Sequence, residues 1–234
     1  MHTPPIVSRE DWNAAREALL VKEKSVMRAH DALAAERRRI PWMAVDKAYA
    51  FVGPRGKASL LDLFEGRRQL IVYHFMYSPD WDAGCSSCTA GTDEISQGFL
   101  DHLHVRDTTF AMVSLAPYAK LAKWEADRGW TIPWYSSYGT DFNYDFDVTL
   151  DPSVKPPVYN YRPIDLEGEM PGQSAFLRDG DRVFHTYSWY ARAAEATGGS
   201  YYWLDMTALG RQEDWEEPKG RADLERAAQP NFAT

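Results

Sequence analysis

The sequence predicts an α/β protein: a central mixed sheet covered by helices and preceded by one long N-terminal helix. Three observations carry this. The run from Leu70 and the run Thr108–Ala116 are apolar, too short for free-standing helices and rich in the β-branched and aromatic residues of fully buried strands. Each is followed by a segment of helical character, an order that implies parallel strands joined by right-handed crossovers. Before them, Trp12, Leu19, Val26, Leu33 and Ile40 fall seven apart among Lys, Arg and Glu, the pattern of a narrow apolar stripe on a helix.

The N-terminal helix begins at Ser8-Arg9-Glu10-Asp11, which has the form of a capping box, with Val7 placed to staple against Trp12. Leu20, Met27 and Ala34 lie beside the stripe, and Pro41 ends the segment. About thirty residues at ~1.5 Å each make a rod on the order of 45 Å, longer than a small domain is wide. It either lies across its own domain or packs against a second subunit. The basic run Arg37-Arg38-Arg39 reads as a solvated helix end. Next, Tyr49–Val52, a Gly53-Pro54-Arg55-Gly56 turn and Ala58–Phe64 read as an edge hairpin and a helical turn leading into the first buried strand.

From Cys88 the chain is expected to be helical to about His104, burying Ile95, Phe99, Leu100 and Leu103. Pro117 suits the first position of the next helix, Tyr118–Arg128, with Leu121 and Trp124 inward and Gly129 as its stop. Trp130–Tyr138 reads as a third extended segment, whereas Asp141–Phe146, aromatic and acidic by turns, matches no period. Residues 151–170 hold four prolines and read as an irregular loop over the site. Gln173–Arg178, Asp179-Gly180 and Arg182–Tyr187 form a hairpin, followed by a last helix through Ala191–Ala196 to a Gly198-Gly199 stop. The division expected is a helical extension (1–41), the α/β domain (42–210) and an acidic tail (211–234).

Composition narrows the function. A net charge of -8 over 234 residues argues against nucleic acid or an anionic membrane as an electrostatic partner. The N-terminus lacks the apolar core of a signal peptide and no run reaches the ~20 apolar residues of a membrane span, so a soluble, cytoplasmic protein is expected. In that compartment two cysteines are redox-active or metal-binding rather than structural.

Those two, Cys85 and Cys88, form Cys85-Ser86-Ser87-Cys88 between a buried strand and a helix. The first sulfur then sits at a helix N-terminus, where unpaired N–H groups and the macrodipole favour a thiolate. The chemistry proposed from this is thiol-disulfide exchange, with Cys85 as nucleophile and Cys88, one turn on, as resolving thiol. Lowering a thiol pKa from ~8.5 to ~7 requires about 2 kcal/mol, within reach of such a site. Asp80, Asp82, Asp93 and Glu94 work against it, and no Lys or Arg lies between Arg68 and Arg106, so only modest activation is expected. Trp81 is a candidate wall for the substrate and Asp82 a candidate proton acceptor for Cys88, or a helix cap. His74, inside the apolar strand, reads as a core histidine.

Strand, Cys-x-x-Cys, helix, strand, helix, then Pro171 followed at once by an antiparallel hairpin, resembles the thioredoxin fold, a three-layer sandwich. The resemblance implies a cis-proline at Pro171 whose loop faces the sulfurs and contributes to substrate binding. The stretches PWMAVDKAYAFVGPRGKASLLDLFEGRRQLIVYHFMYSPDW, GTDFNYDFDV, EMPGQSAFLRDGDRVFHTYS and LGRQEDWEEP are similar to the DUF899 family of thioredoxin-like bacterial proteins, over nearly the whole chain. That family is described as predicted dithiol-disulfide oxidoreductases; for this chain no cofactor is expected, and the expected partner is a protein or small-molecule disulfide. One departure is Thr89-Ala90-Gly91-Thr92, where an aromatic-rich sequence is expected after the second cysteine.

Three other readings stay open. Pro79, Trp81, Gly84 and Cys85 follow the approach to the peroxidatic cysteine of a peroxiredoxin, although Asp82 stands where that class has Thr or Ser. Two thiolates with His185 or His74 would suit Cu(I). A thioredoxin-like scaffold that binds a partner without turnover would use the aromatic segments Trp134-Tyr135 and Tyr201-Tyr202-Trp203.

Overall fold

The structure, a computed structural model, describes residues 4–197 together with Gly199, Met206, Thr207 and Lys219. The acidic tail and Tyr201-Tyr202-Trp203 therefore lie outside the described residues, apart from Lys219. In chain order the elements begin with α1 (Arg9–Arg37), β1 (Met43–Ala44), β2 (Ala50–Gly53), β3 (Gly56–Ser59) and β4 (Gln69–His74). They continue with α2 (Ser86–Asp93), α3 (Gln97–His104), β5 (Thr108–Ser114), α4 (Tyr118–Arg128), β6 (Trp134–Ser136) and α5 (Phe142–Asp145). The short strands β7 (Thr149–Leu150), β8 (Val158–Tyr159), β9 (Arg162–Pro163) and β10 (Gly168–Glu169) precede the long hairpin β11 (Gly172–Asp179) and β12 (Arg182–Tyr190).

One mixed sheet carries the fold, in the order β1-β12-β11-β4-β5-β6-β2-β3. β4, β5 and β6 run parallel, and β11 and β12 join them as an antiparallel hairpin. Strand, Cys-x-x-Cys helix, strand, helix and hairpin thus follow one another as in a thioredoxin-like domain. The period of two divides β4 between two cores. Leu70 and Val72 join Phe51, Leu63, Phe64, Phe142 and Phe176 on one face, whereas Ile71, Tyr73 and Phe75 pack on the other with Cys88, Leu100, Met112, Leu121 and Trp134. Helices α3 and α4 supply Leu100 and Leu121 to this second core, so the cysteines and these helices share one face. All seven residues of β5 are buried, as befits a central parallel strand.

Several expectations hold in detail. Ser8 caps α1 by accepting the Asp11 N–H at 3.1 Å, the Gly53–Gly56 turn closes an edge hairpin, and Gly129 ends α4 in the left-handed conformation, φ +69°. Others change. The helix expected from Cys88 to His104 breaks at Glu94–Ser96, because Ser96 accepts the Phe99 N–H at 3.2 Å and starts α3 afresh. Phe99, assigned to its buried face, is 40% exposed. Pro117 is the cap of α4 rather than its first residue. Arg37 is not simply solvated: its guanidinium lies 5.5 Å from the Tyr187 ring. Asp141–Phe146 contains the one-turn α5, which buries Phe142 and Phe146 beside Tyr49 and His74. The segment from Ala191 is a 3-10 helix, Ala191–Thr197, not an α-helix.

Helix α1 does not lie across the domain as a packed element, since none of its residues is buried. Among the described residues no helix is long and apolar enough to cross a membrane.

Candidate active site

The path from β4 to Cys85 is held from several sides. Ser114 donates to the Phe75 carbonyl at 2.6 Å and the Ala116 N–H to that of Tyr77 at 2.8 Å, fixing residues 75–77 to the end of β5. Beyond them, Lys120 on α4 reaches the carbonyls of Pro79 (2.6 Å) and Trp81 (2.8 Å). The Cys85 N–H then returns to the Met76 carbonyl at 3.0 Å. Gly84 is required by a close approach: a Cβ there would stand 2.8 Å from Phe75 Cε1 and 3.3 Å from Trp124 Nε1. Only glycine lets the chain pass this wall and present the next residue.

That residue, Cys85, is the N-cap of α2, and its carbonyl accepts the Thr89 N–H at 2.9 Å. Both cysteines are free thiols; Cys85 is half-buried and Cys88 is 2% exposed. The neighbouring Cys88 thiol favours the Cys85 anion and, opposed by burial, lowers the Cys85 pKa to about 5. The Ser87 hydroxyl, 3.1 Å away, adds to the effect. No conventional side-chain cap closes the helix, yet the N–H groups of Cys88 and Ser87 also favour the anion. The same contact and its own burial push Cys88 well above the usual thiol range.

Activation therefore exceeds the modest degree expected from the sequence. The local acids are diverted: Asp80 and Asp82 are exposed, and Asp93 accepts Trp130 Nε1–H at 2.8 Å and faces Arg128 at 3.6 Å. The fold does bring in a cation, Lys120, but spends it on loop carbonyls rather than on sulfur.

Trp81 is 38% exposed on the loop before the cysteines. The backbone carbonyl of Asp82 accepts the Tyr77 hydroxyl at 3.3 Å, while its carboxylate stands in solvent and Cys88 is buried. Pro171 leads directly into β11, whose Gly172 pairs with His74 at the end of β4 from which the cysteine loop departs. The Pro171 carbonyl accepts the Tyr159 hydroxyl at 2.7 Å, and that oxygen accepts the Ala191 N–H at 2.9 Å. The proline-rich segment is thus tied down at the cysteine end of the sheet, and Tyr159 is near enough to feel Cys88 electrostatically.

Sequence reasoning missed Tyr73, which packs in the same core as Cys88 and whose phenol favours the Cys88 thiolate. Its signal was parity: Tyr73 and Phe75 alternate away from His74 and so share the cysteine face. His74 points the other way. Its Nε2 lies 2.8 Å from Ser174 Oγ, Ser174 Oγ 2.7 Å from Ser188 Oγ, and His185 Nε2 2.7 Å from Ser188 Oγ. Burial holds the His74 pKa down at about 3. Neither His74 nor His185 is brought to the sulfurs, and among the described residues no cluster of three His, Cys, Asp or Glu side chains is arranged to hold a metal.

The DUF899 family model, described as "Bacterial protein of unknown function", matches residues 1–228. No curated protein matches the sequence. Among solved structures, peroxiredoxin Q of Xanthomonas campestris is similar at 15% identity, TM-score 0.44, covering 65% of this chain and 87% of that one. Peroxidoxin BcpB of Mycobacterium tuberculosis is similar at 12% identity and TM-score 0.46, covering 65% and 86%. AhpC of Enterococcus faecalis is similar at 13% identity and TM-score 0.44, covering 65% and 80%.

Proposed function

We propose that this chain, which belongs to the DUF899 family of bacterial proteins, is a thiol-disulfide oxidoreductase. The observation that carries the reading is a half-buried Cys85 at the start of α2 with a buried Cys88 one turn on. It makes one sulfur an anion near neutral pH and keeps the other protonated within reach, the division of labour that exchange needs. The Cys85 thiolate attacks a substrate disulfide, forming a mixed disulfide and expelling one substrate thiolate. Cys88 then gives up its proton and attacks Cys85, releasing the second substrate thiolate and closing the Cys85–Cys88 disulfide. An external thiol restores the pair. Trp81 and Pro171 flank the approach as substrate contacts, and exposed Asp82 is a proton acceptor only through water. A thiol pair that must be returned to its reduced form suits a reducing compartment such as the cytoplasm.

Dithiothreitol-driven reduction of insulin disulfides tests this: the native chain should be active, Cys85→Ser inactive, and Cys88→Ser should accumulate a mixed disulfide. A peroxiredoxin-like peroxidase is the second reading, favoured by the low pKa of a single half-buried thiol after Pro79. Peroxide consumption that survives Cys88→Ser, with no insulin reduction, would establish it instead.

A further inference from the structure

We propose that α1 is a dimerisation helix, pairing with α1 of a second copy of this chain in the opposite sense, with the two-fold axis at Val26. A 29-residue helix with no buried residue packs little of its length against its own domain, and helices in water owe most of their stability to a packed apolar face. That face is present and bare: Trp12 is 58% exposed, Leu19 50%, Val26 69% and Leu33 46%. The seven-residue period is the one that two helices keep in contact along their length.

The occupant is a second copy because the stripe complements itself. Leu19 and Leu33 stand equally far from Val26, and so do Trp12 and Ile40. A two-fold axis at Val26 therefore sets Leu19 of one copy against Leu33 of the other, and Trp12 against Ile40 in the turn beyond the helix. Charge selects the same sense. Glu10 and Asp11 occupy the first turn and Arg37 the last, followed by Arg38 and Arg39. Antiparallel helices bring acidic starts to basic ends, whereas parallel ones set like charges together.

Sedimentation velocity of the native chain should show a dimer, and Leu19→Glu with Val26→Glu should weaken it at least about a hundredfold, since charges replace buried apolar groups. Near-ultraviolet circular dichroism and thermal unfolding of the variant's domain should stay unchanged, because neither position is buried in the monomer, while the far-ultraviolet helical signal falls as α1 loses its packed face. In a Cys85→Ser, Cys88→Ser background, Val26→Cys should cross-link with itself, whereas Leu19→Cys should not, its two copies lying about 21 Å apart along the axis. A native chain that is monomeric at 100 μM, whether or not it binds lipid vesicles, overturns the proposal. So does a dimer that persists in the double variant, and self-cross-linking of Leu19→Cys overturns the antiparallel arrangement.

Discussion

Tyr73 on β4 and Cys85 at the start of α2 both pack against the core that holds Cys88, and each acts on the buried thiol. The phenol favours the Cys88 thiolate, the species that must form when the mixed disulfide is resolved. Tyr73→Phe keeps the ring contacts with Phe75 and Phe110 and removes only the hydroxyl. Resolution should slow by roughly tenfold to a hundredfold, the worth of one hydrogen bond to a charged group. Stopped-flow decay of a Cys85 mixed disulfide, with the unfolding midpoint as control, checks this; an unchanged rate excludes the role.

The Cys85 pKa of about 5 depends first on the Cys88 thiol. Cys88→Ala should therefore raise it, seen as a shift of the iodoacetamide alkylation profile toward higher pH. The lowered pKa also ties stability to pH. Relative to an unfolded thiol, the reduced protein holds extra stability above the ordinary thiol pKa and loses it as pH falls through about 5. Urea midpoints of the native chain should show that loss, and those of Cys85→Ala should show less of it.

Gly84 marks a point where space rather than chemistry decides the sequence. Gly84→Ala drives a methyl into Phe75 and Trp124, an overpacking that should cost about 1–3 kcal/mol. The loop can yield only by moving Cys85, so alkylation at pH 7 should slow as the unfolding midpoint falls.

A half-buried group, Glu169, and a buried one, His74, pull stability in opposite directions between about pH 4.5 and 6.5. Glu169, which accepts the Thr149 hydroxyl at 2.8 Å, is raised by burial to about pH 7. Its folded form holds a proton that the unfolded chain has lost, so stability falls as pH rises from 4.5 through 7. His74, depressed to about 3, has the opposite sign: stability present above 6.5 is lost as pH falls toward 3. Glu169→Gln should therefore give a denaturation midpoint that rises steadily from acid to neutral pH. A profile identical to the native one would place Glu169 in contact with water.

The core of the fold was legible because its signals are local. The apolar runs of β4 and β5, Gly129 after α4 and Asp179-Gly180 between β11 and β12 each act within a few residues. The two-residue β1 escaped notice since Met43 and Ala44 are exposed and pair only because β12 passes beside them. At the site the cysteines were legible from spacing alone, but not how acidic Cys85 is. That depends on how deeply the fold buries each sulfur and on how close Cys88 and Ser87 come to Cys85. The serine-histidine chain was out of reach for the same reason: His74 and Ser174 stand 100 residues apart and meet only through the β4–β11 register.

Helix α2 begins on sulfur, without the oxygen cap that Ser8 and Ser96 give to α1 and α3. Its N-terminus is stabilised by negative charge only while Cys85 remains a thiolate, and bonding that sulfur to another removes the charge. Reduction is thereby favoured over oxidation, which raises the potential of the couple and makes a Cys85–Cys88 bridge a willing acceptor of electrons. A bridge closed between the two sulfurs is therefore reopened readily by an external thiol, which returns α2 to its charged start.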